Sequence, residues 1–247
     1  MPRLLDRATE KRKTRAATRQ SRRLIRSRVA RRRASHSYLH VLLLILATFV
    51  FASLVGDATW TTSVLLLLEA VTLGAAMWTS GLMHADSKLL LALVSGAVLL
   101  AVAVPISDRN GVIGAAGIAS GVLAVATIAT IALGVVDQDE VNAQSITGAV
   151  CIYVLFWLVF MFLYGAIALF GSDAFFAQGT DGTRSLRLYF SYVTLATLGY
   201  GDYTPAGDLG HTLAIIEALF GQLYLVTVLA LLVSRLQGRR GDRDAKS

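Results

Sequence analysis

Six apolar runs constrain this chain more than any other feature. They cover residues 38–55, 62–83, 89–106, 112–136, 146–170 and 209–234, and each is close to the roughly 20 helical residues that cross a hydrocarbon core about 30 Å thick. A backbone in lipid must satisfy its own N–H and C=O groups, which leaves helices or closed barrels. Barrel strands are shorter and alternate in polarity, so the runs predict an all-α membrane protein with six transmembrane helices. Composition agrees, since 55% of the 247 residues are hydrophobic and only 16% are charged, far from a soluble average.

Charge orients the chain. Of 23 Lys and Arg residues, 14 precede Tyr38 and five more lie between Arg235 and Lys246. The positive-inside rule puts both ends in the cytoplasm, and an even number of crossings satisfies it; the expected location is the cell (cytoplasmic) membrane. Residues 56–61, 107–111 and 171–187 then face out, and 84–88 and 137–145 face in. Asp137, Asp139 and Glu140 make one inner loop acidic, but carboxylates weigh little in this rule. The basic segment 1–37 suits the anionic headgroups of the inner leaflet, with Leu24, Ile25 and Val29 available for shallow insertion. Its placement beside a membrane argues against nucleic acid as the partner. A long basic start followed by closely spaced apolar runs does not read as a cleaved signal.

Between the fifth and sixth runs lies a segment too short and too polar to cross. It opens with a loop, continues as SLRLYFSYVTLAT and ends in LGYGD. Non-helical backbone at membrane depth is tolerated where it is buried in protein or lines a watery cavity, so we read a re-entrant hairpin: a short helix from about 186 to 197, then an ascent through 198–202 before Pro205 and Gly207 turn the chain into the last run. Carbonyl oxygens can replace the hydration shell of a cation if successive residues alternate in backbone handedness, which glycine permits. Gly199 and Gly201 supply those positions, Tyr200 braces the strand, Thr197 adds a hydroxyl, and the preceding helix points its negative end at the cavity below.

Thr194, Thr197, Gly199, Tyr200, Gly201 and Asp202 together resemble the pore loop of potassium channels, in the order outer helix, pore helix, filter, inner helix over residues 146–235. The resemblance implies a selectivity filter formed by Thr197, Leu198, Gly199, Tyr200, Gly201 and Asp202, with potassium held at Thr197, Leu198, Gly199 and Tyr200, and pore-helix support from Tyr189, Phe190, Val193 and Thr194. It implies a homotetramer, because one loop per chain makes one quarter of a ring. Potassium is then the permeant ion, and no cofactor is expected. Three positions depart from the family pattern. Leu198 stands where Val or Ile is usual, Tyr189 and Phe190 replace a frequent tryptophan pair, and Val193 stands where some members keep a carboxylate partner for the filter aspartate. Asp202 then relies on water or on a pore-helix hydroxyl.

In the last run, Gly221 permits either a gating bend or close helix packing. Glu217, one turn away, either concentrates cations or bonds behind the filter. Glu69 is the lone acid of the second run, expected to pair with a polar neighbour or to sense protons. The fourth run contains no Lys or Arg, whereas field sensing moves charge at about 2.3 kcal/mol per unit charge per 100 mV; Gly114, Gly117 and Gly121 read instead as packing positions. The expected organisation is a basic segment over 1–37, a four-helix region without gating charges over 38–136, a pore domain over 146–235 and a short tail over 236–247, too short for a regulatory domain. Cys151 is a packing residue. His84, Asp86 and Lys88 read as a solvated turn. No catalytic or metal-ligand set shares a common site, so the reading is a potassium channel subunit and not an enzyme. The alternatives are a weakly selective monovalent cation channel, left open by Leu198, and a potassium transporter subunit, disfavoured by a single pore loop.

Overall fold

The computed structural model describes residues 38–81, 87–106, 110–137 and 143–244. The basic segment 1–37, His84, Asp86, Arg109, Asp139 and Glu140 lie outside them. Seven helices follow in chain order among the described residues: α1 (Leu39–Leu54), α2 (Thr59–Ser80), α3 (Ser87–Ala103), α4 (Asn110–Val136), α5 (Ala143–Phe170), α6 (Arg184–Leu195) and α7 (Asp208–Asp244).

Local chemistry sets their ends. α1 stops where Val55 turns extended ahead of Gly56, and α2 closes on Gly81 in the left-handed region at φ 70°, where a side chain is costly. α3 ends at Ala103 rather than at 106, because Pro105 biases Val104 away from helical backbone. α7 meets no proline and runs ten residues past the expected limit, to Asp244. Thr59–Ser80, Gly114–Val136, Ala143–Phe170 and Asp208–Val228 are long and apolar enough to cross a membrane, whereas Leu39–Leu54 and Lys88–Ala103 are apolar but shorter. At 1.5 Å per residue, the 16 residues of α1 reach about 24 Å.

α2 is the central strut of the front half. Leu65 and Leu66, about 100° apart around its axis, are both buried but belong to different cores. Leu65 joins Val41 and Ile45 of α1, Ile131 of α4, and Leu155 and Leu158 of α5. Leu66 joins Leu73, Ala97 and Ala101 of α3, and Leu123 of α4. A third cluster, Phe160, Tyr164, Phe175, Phe176 and Phe190, gathers where α5, α6 and the loop between them meet.

Candidate pore loop

α6 has 12 residues, about 18 Å of helix, too short to cross a bilayer. It starts at Thr183, whose hydroxyl accepts the Leu186 N–H at 3.1 Å, a side-chain cap on an otherwise orphaned donor. Leu188, Phe190, Ser191, Val193 and Leu195 turn inward and are buried. At the other end the Thr197 N–H donates to the Thr194 carbonyl and the Leu198 N–H to the Val193 carbonyl, both at 2.9 Å. Val193 and Thr194 therefore tie the start of the next segment to the last turn of the helix.

That segment alternates. Thr197, Gly199 and Gly201 have φ of 56°, 57° and 75°, with Leu198 and Tyr200 between them outside the left-handed region. Left-handed backbone at every second residue turns successive carbonyls toward one side, the arrangement a dehydrated cation requires. The two glycines adopt it freely. Thr197 does not: it is the one non-glycine with positive φ among the described residues, and a β-branched side chain there costs about 1–3 kcal/mol. Propensity gives no warning of this, because threonine is a poor left-handed former. Residues 197–202 are exposed, with Leu198 at 51% and Tyr200 at 66%.

Side chains hold the ascending strand from behind. The Tyr189 hydroxyl donates to the Asp202 carboxylate at 2.8 Å, so this pore-helix hydroxyl is the partner Asp202 finds. The accepting carboxylate raises the Tyr189 phenol above its ordinary value. The Tyr189 ring stacks on Tyr200 at 6.4 Å between centroids. Gln178, in the loop before α6, donates from Nε2 to the Asp202 carbonyl at 2.9 Å. The same loop pairs with the exit strand through Ala177 N–H to Thr204 carbonyl and Ala206 N–H to Phe175 carbonyl, each 2.8 Å. Phe175 and Phe176 are buried beside Tyr164 and Phe190, so a stretch expected to be polar carries an aromatic plug. Two adjacent phenylalanines in an otherwise polar loop were the available signal; Gln178 left none.

Glu217 of α7 is fully buried. Its Oε2 accepts from the Tyr164 hydroxyl of α5 at 2.5 Å, and its Oε1 meets the Ser191 hydroxyl of α6, which also donates to the Trp157 carbonyl at 2.8 Å. Three helices thus meet at one carboxyl group, away from the exposed residues 197–202. Gly221, one turn on, faces the end of α6. A Cβ built there would stand 2.3 Å from the Leu195 carbonyl oxygen, so the absence of a side chain lets α7 touch the last turn of the pore helix.

Glu69 lies far from this assembly in sequence. It is buried in α2 beside Thr48, Thr72 and Thr127; the Ser120 hydroxyl of α4 lies near it, but its carboxyl oxygens make no well-formed hydrogen bond among the described residues. Cys151 is buried in the core of α5.

A family model described as an ion channel matches residues 149–238. Over 54 residues the chain is 41% identical to the inward rectifier potassium channel Kirbac3.1 of Paramagnetospirillum magnetotacticum, which covers 22% of this chain and 18% of that protein. Over 46 residues it is 44% identical to the probable potassium channel protein 2 of Methanocaldococcus jannaschii, covering 17% of this chain and 13% of that protein. The chain therefore spans less than a fifth of the length of these curated relatives. No solved structure matches it at comparable significance.

Proposed function

We propose that residues 149–238, which match an ion-channel family model and resemble two curated potassium channels, form the pore of a potassium channel in which four copies close a ring of filter strands that passes potassium down its electrochemical gradient. The carbonyls of Thr197, Leu198, Gly199 and Tyr200 coordinate the dehydrated ion, and the Thr197 hydroxyl completes the innermost position. The observation that carries this reading is the left-handed backbone at Thr197, Gly199 and Gly201. The exposed apolar face of α7, with Ile215 at 62%, Leu219 at 56% and Leu223 at 64% exposed, supports a pore lined by the last helix or sealed against neighbouring copies.

The reading extends to six crossings with both ends in the cytoplasm, the basic segment 1–37 resting on anionic lipid. α4 carries no Lys or Arg from Gly111 to Val136, so opening depends little on voltage. Purified protein in a planar bilayer, with potassium on one side and sodium on the other, should reverse near the potassium limit and lose its current in Gly199→Ala. Equal conduction of both ions by intact tetramers would replace this reading with the weakly selective cation channel; a stable monomer would remove the ring altogether.

A further inference from the structure

α4 presents a line of small residues, Gly114, Gly117, Gly121, Val125 and Ala129, across from α5. Because these α4 positions carry small side chains or none opposite Phe162 and Leu169 of α5, the two helices leave a groove of about 720 Å³, within the roughly 300–1,000 Å³ of sites that hold a small molecule. Its lining on α4 runs from Gly114 to Ala129, about 22 Å along the helix axis. That exceeds the depth of one leaflet, about half of a 30 Å core, so the groove is shaped for an extended chain rather than a compact solute.

The groove also has a polar end. Arg184 and Arg187 belong to its lining, which contains no carboxylate. Arg184 is already engaged, with Asp57 at 3.8 Å and with the hydroxyls of Thr61 and Thr62 at 3.3 and 2.8 Å. Arg187 is not. Its guanidinium lies over Gly165 of α5 and donates only through Nη1, to the carbonyls of Asp181 and Gly182 at 2.9 and 2.6 Å. Nε and Nη2 remain available, and no carboxylate forms an ion pair with this side chain among the described residues. A guanidinium whose hydrogen bonds go to neutral carbonyls, with Asp57 and Asp181 nearby but not ion-paired to it and Arg184 beside it, at the mouth of a long apolar groove, is complementary to an anionic headgroup carrying acyl chains.

We propose that this groove binds one anionic glycerophospholipid per chain, its phosphate on Arg187 and an acyl chain lying between α4 and α5. The leaflet it comes from is the one on the Arg184 side of the pore helix, the outer leaflet if the orientation proposed above holds; the binding itself is independent of conduction. The site is distinct from the basic segment 1–37, so one assay must separate them.

Native mass spectrometry of the purified full chain, titrated with dioleoyl phosphatidylglycerol and in parallel with dioleoyl phosphatidylcholine, does so. Wild type should retain the first phosphatidylglycerol at least fivefold more tightly than phosphatidylcholine. Arg187→Gln should erase that preference. Gly117→Leu should weaken both lipids at least fivefold; a Cβ at Gly117 meets nothing within 4 Å, so this variant keeps the test decisive even if Arg187→Gln does not fold. A preference for phosphatidylglycerol that survives Arg187→Gln overturns the proposal, because the headgroup is then held elsewhere, as by the basic segment. Retention of both lipids unaffected by Gly117→Leu also overturns it, because no acyl chain then occupies the groove and another copy of the protein covers that face. Failure of these arms leaves the reversal potential unchanged, so it does not bear on the channel reading.

Discussion

The front four helices and the pore loop use the same polar side chains in opposite ways. In α1, α2 and α4, Thr48, Thr72, Thr79, Thr127 and Thr130 each donate to the carbonyl four residues earlier on their own helix. Such a bond satisfies a hydroxyl in lipid but says nothing about where the neighbouring helix sits. Around α6, by contrast, the hydroxyls reach other elements: Ser191 to Trp157 and Glu217, Tyr164 to Glu217, Tyr189 to Asp202. Ser80, which meets the Tyr38 hydroxyl at 3.1 Å and the Thr130 carbonyl at 3.0 Å, is the front half's counterpart to these. Packing of small and branched side chains suffices to hold a bundle together. A strand whose carbonyls are to meet a dehydrated cation needs closer placement than a bundle does, and directional bonds between elements supply placement of that kind.

Four substitutions test the contrast. Glu217→Ala should have the largest effect on stability, because it orphans the buried Tyr164 hydroxyl at about 1–3 kcal/mol, leaves Ser191 only its bond to the Trp157 carbonyl and opens a cavity where the three helices meet; thermal melting of the purified protein in detergent should show a drop of several degrees, with loss of potassium flux. Gly221→Ala comes next. Its methyl meets the Leu195 carbonyl, and overpacking of this kind costs about 1–3 kcal/mol, read by the same melt and by unitary conductance. Tyr189→Phe removes the Asp202 contact and leaves the ring in place, so the fold should melt as wild type while potassium currents decay faster during maintained opening. Because the phenol is raised in the folded state, its contribution is present below the unfolded value near about 10 and lost as pH rises through the folded one; changing pH around neutrality should therefore leave this contribution intact. Thr72→Val should do least, near the low end of the roughly 0.5–1.5 kcal/mol of one hydrogen bond, since the Leu68 carbonyl keeps its helical partner. A Thr72→Val melt as damaging as Glu217→Ala would break the comparison.

The legibility of the sequence follows the same divide. Apolar runs place α2, α4, α5 and α7 to within a few residues at most ends, because helix formation in lipid is obligatory and needs no tertiary information. The pore helix, expected at about 186–197, occupies Arg184–Leu195. The glycines at 199 and 201 reveal their backbone because few other residues tolerate it. What stays hidden is relational. Nothing in the sequence says that Glu217 meets Ser191 and Tyr164, that Gly221 faces the Leu195 carbonyl, or that Gln178 reaches the strand at Asp202, since each depends on two elements being in place at once. Thr197 is hidden for another reason: its conformation is imposed against its own preference by the helix end before it and the glycine after it.

The order in which a ribosome delivers these parts gives the Ser191 hydroxyl a further significance. Its anchor on Trp157 lies 34 residues earlier in the chain, whereas Glu217 lies 26 residues later, about 1–5 s of synthesis at roughly 5–20 residues per second. Because a nascent chain emerges N-terminus first, the Trp157 carbonyl becomes available to Ser191 before Glu217 does, so the bond to α5 can form first and the carboxyl of α7 closes on a segment already tethered.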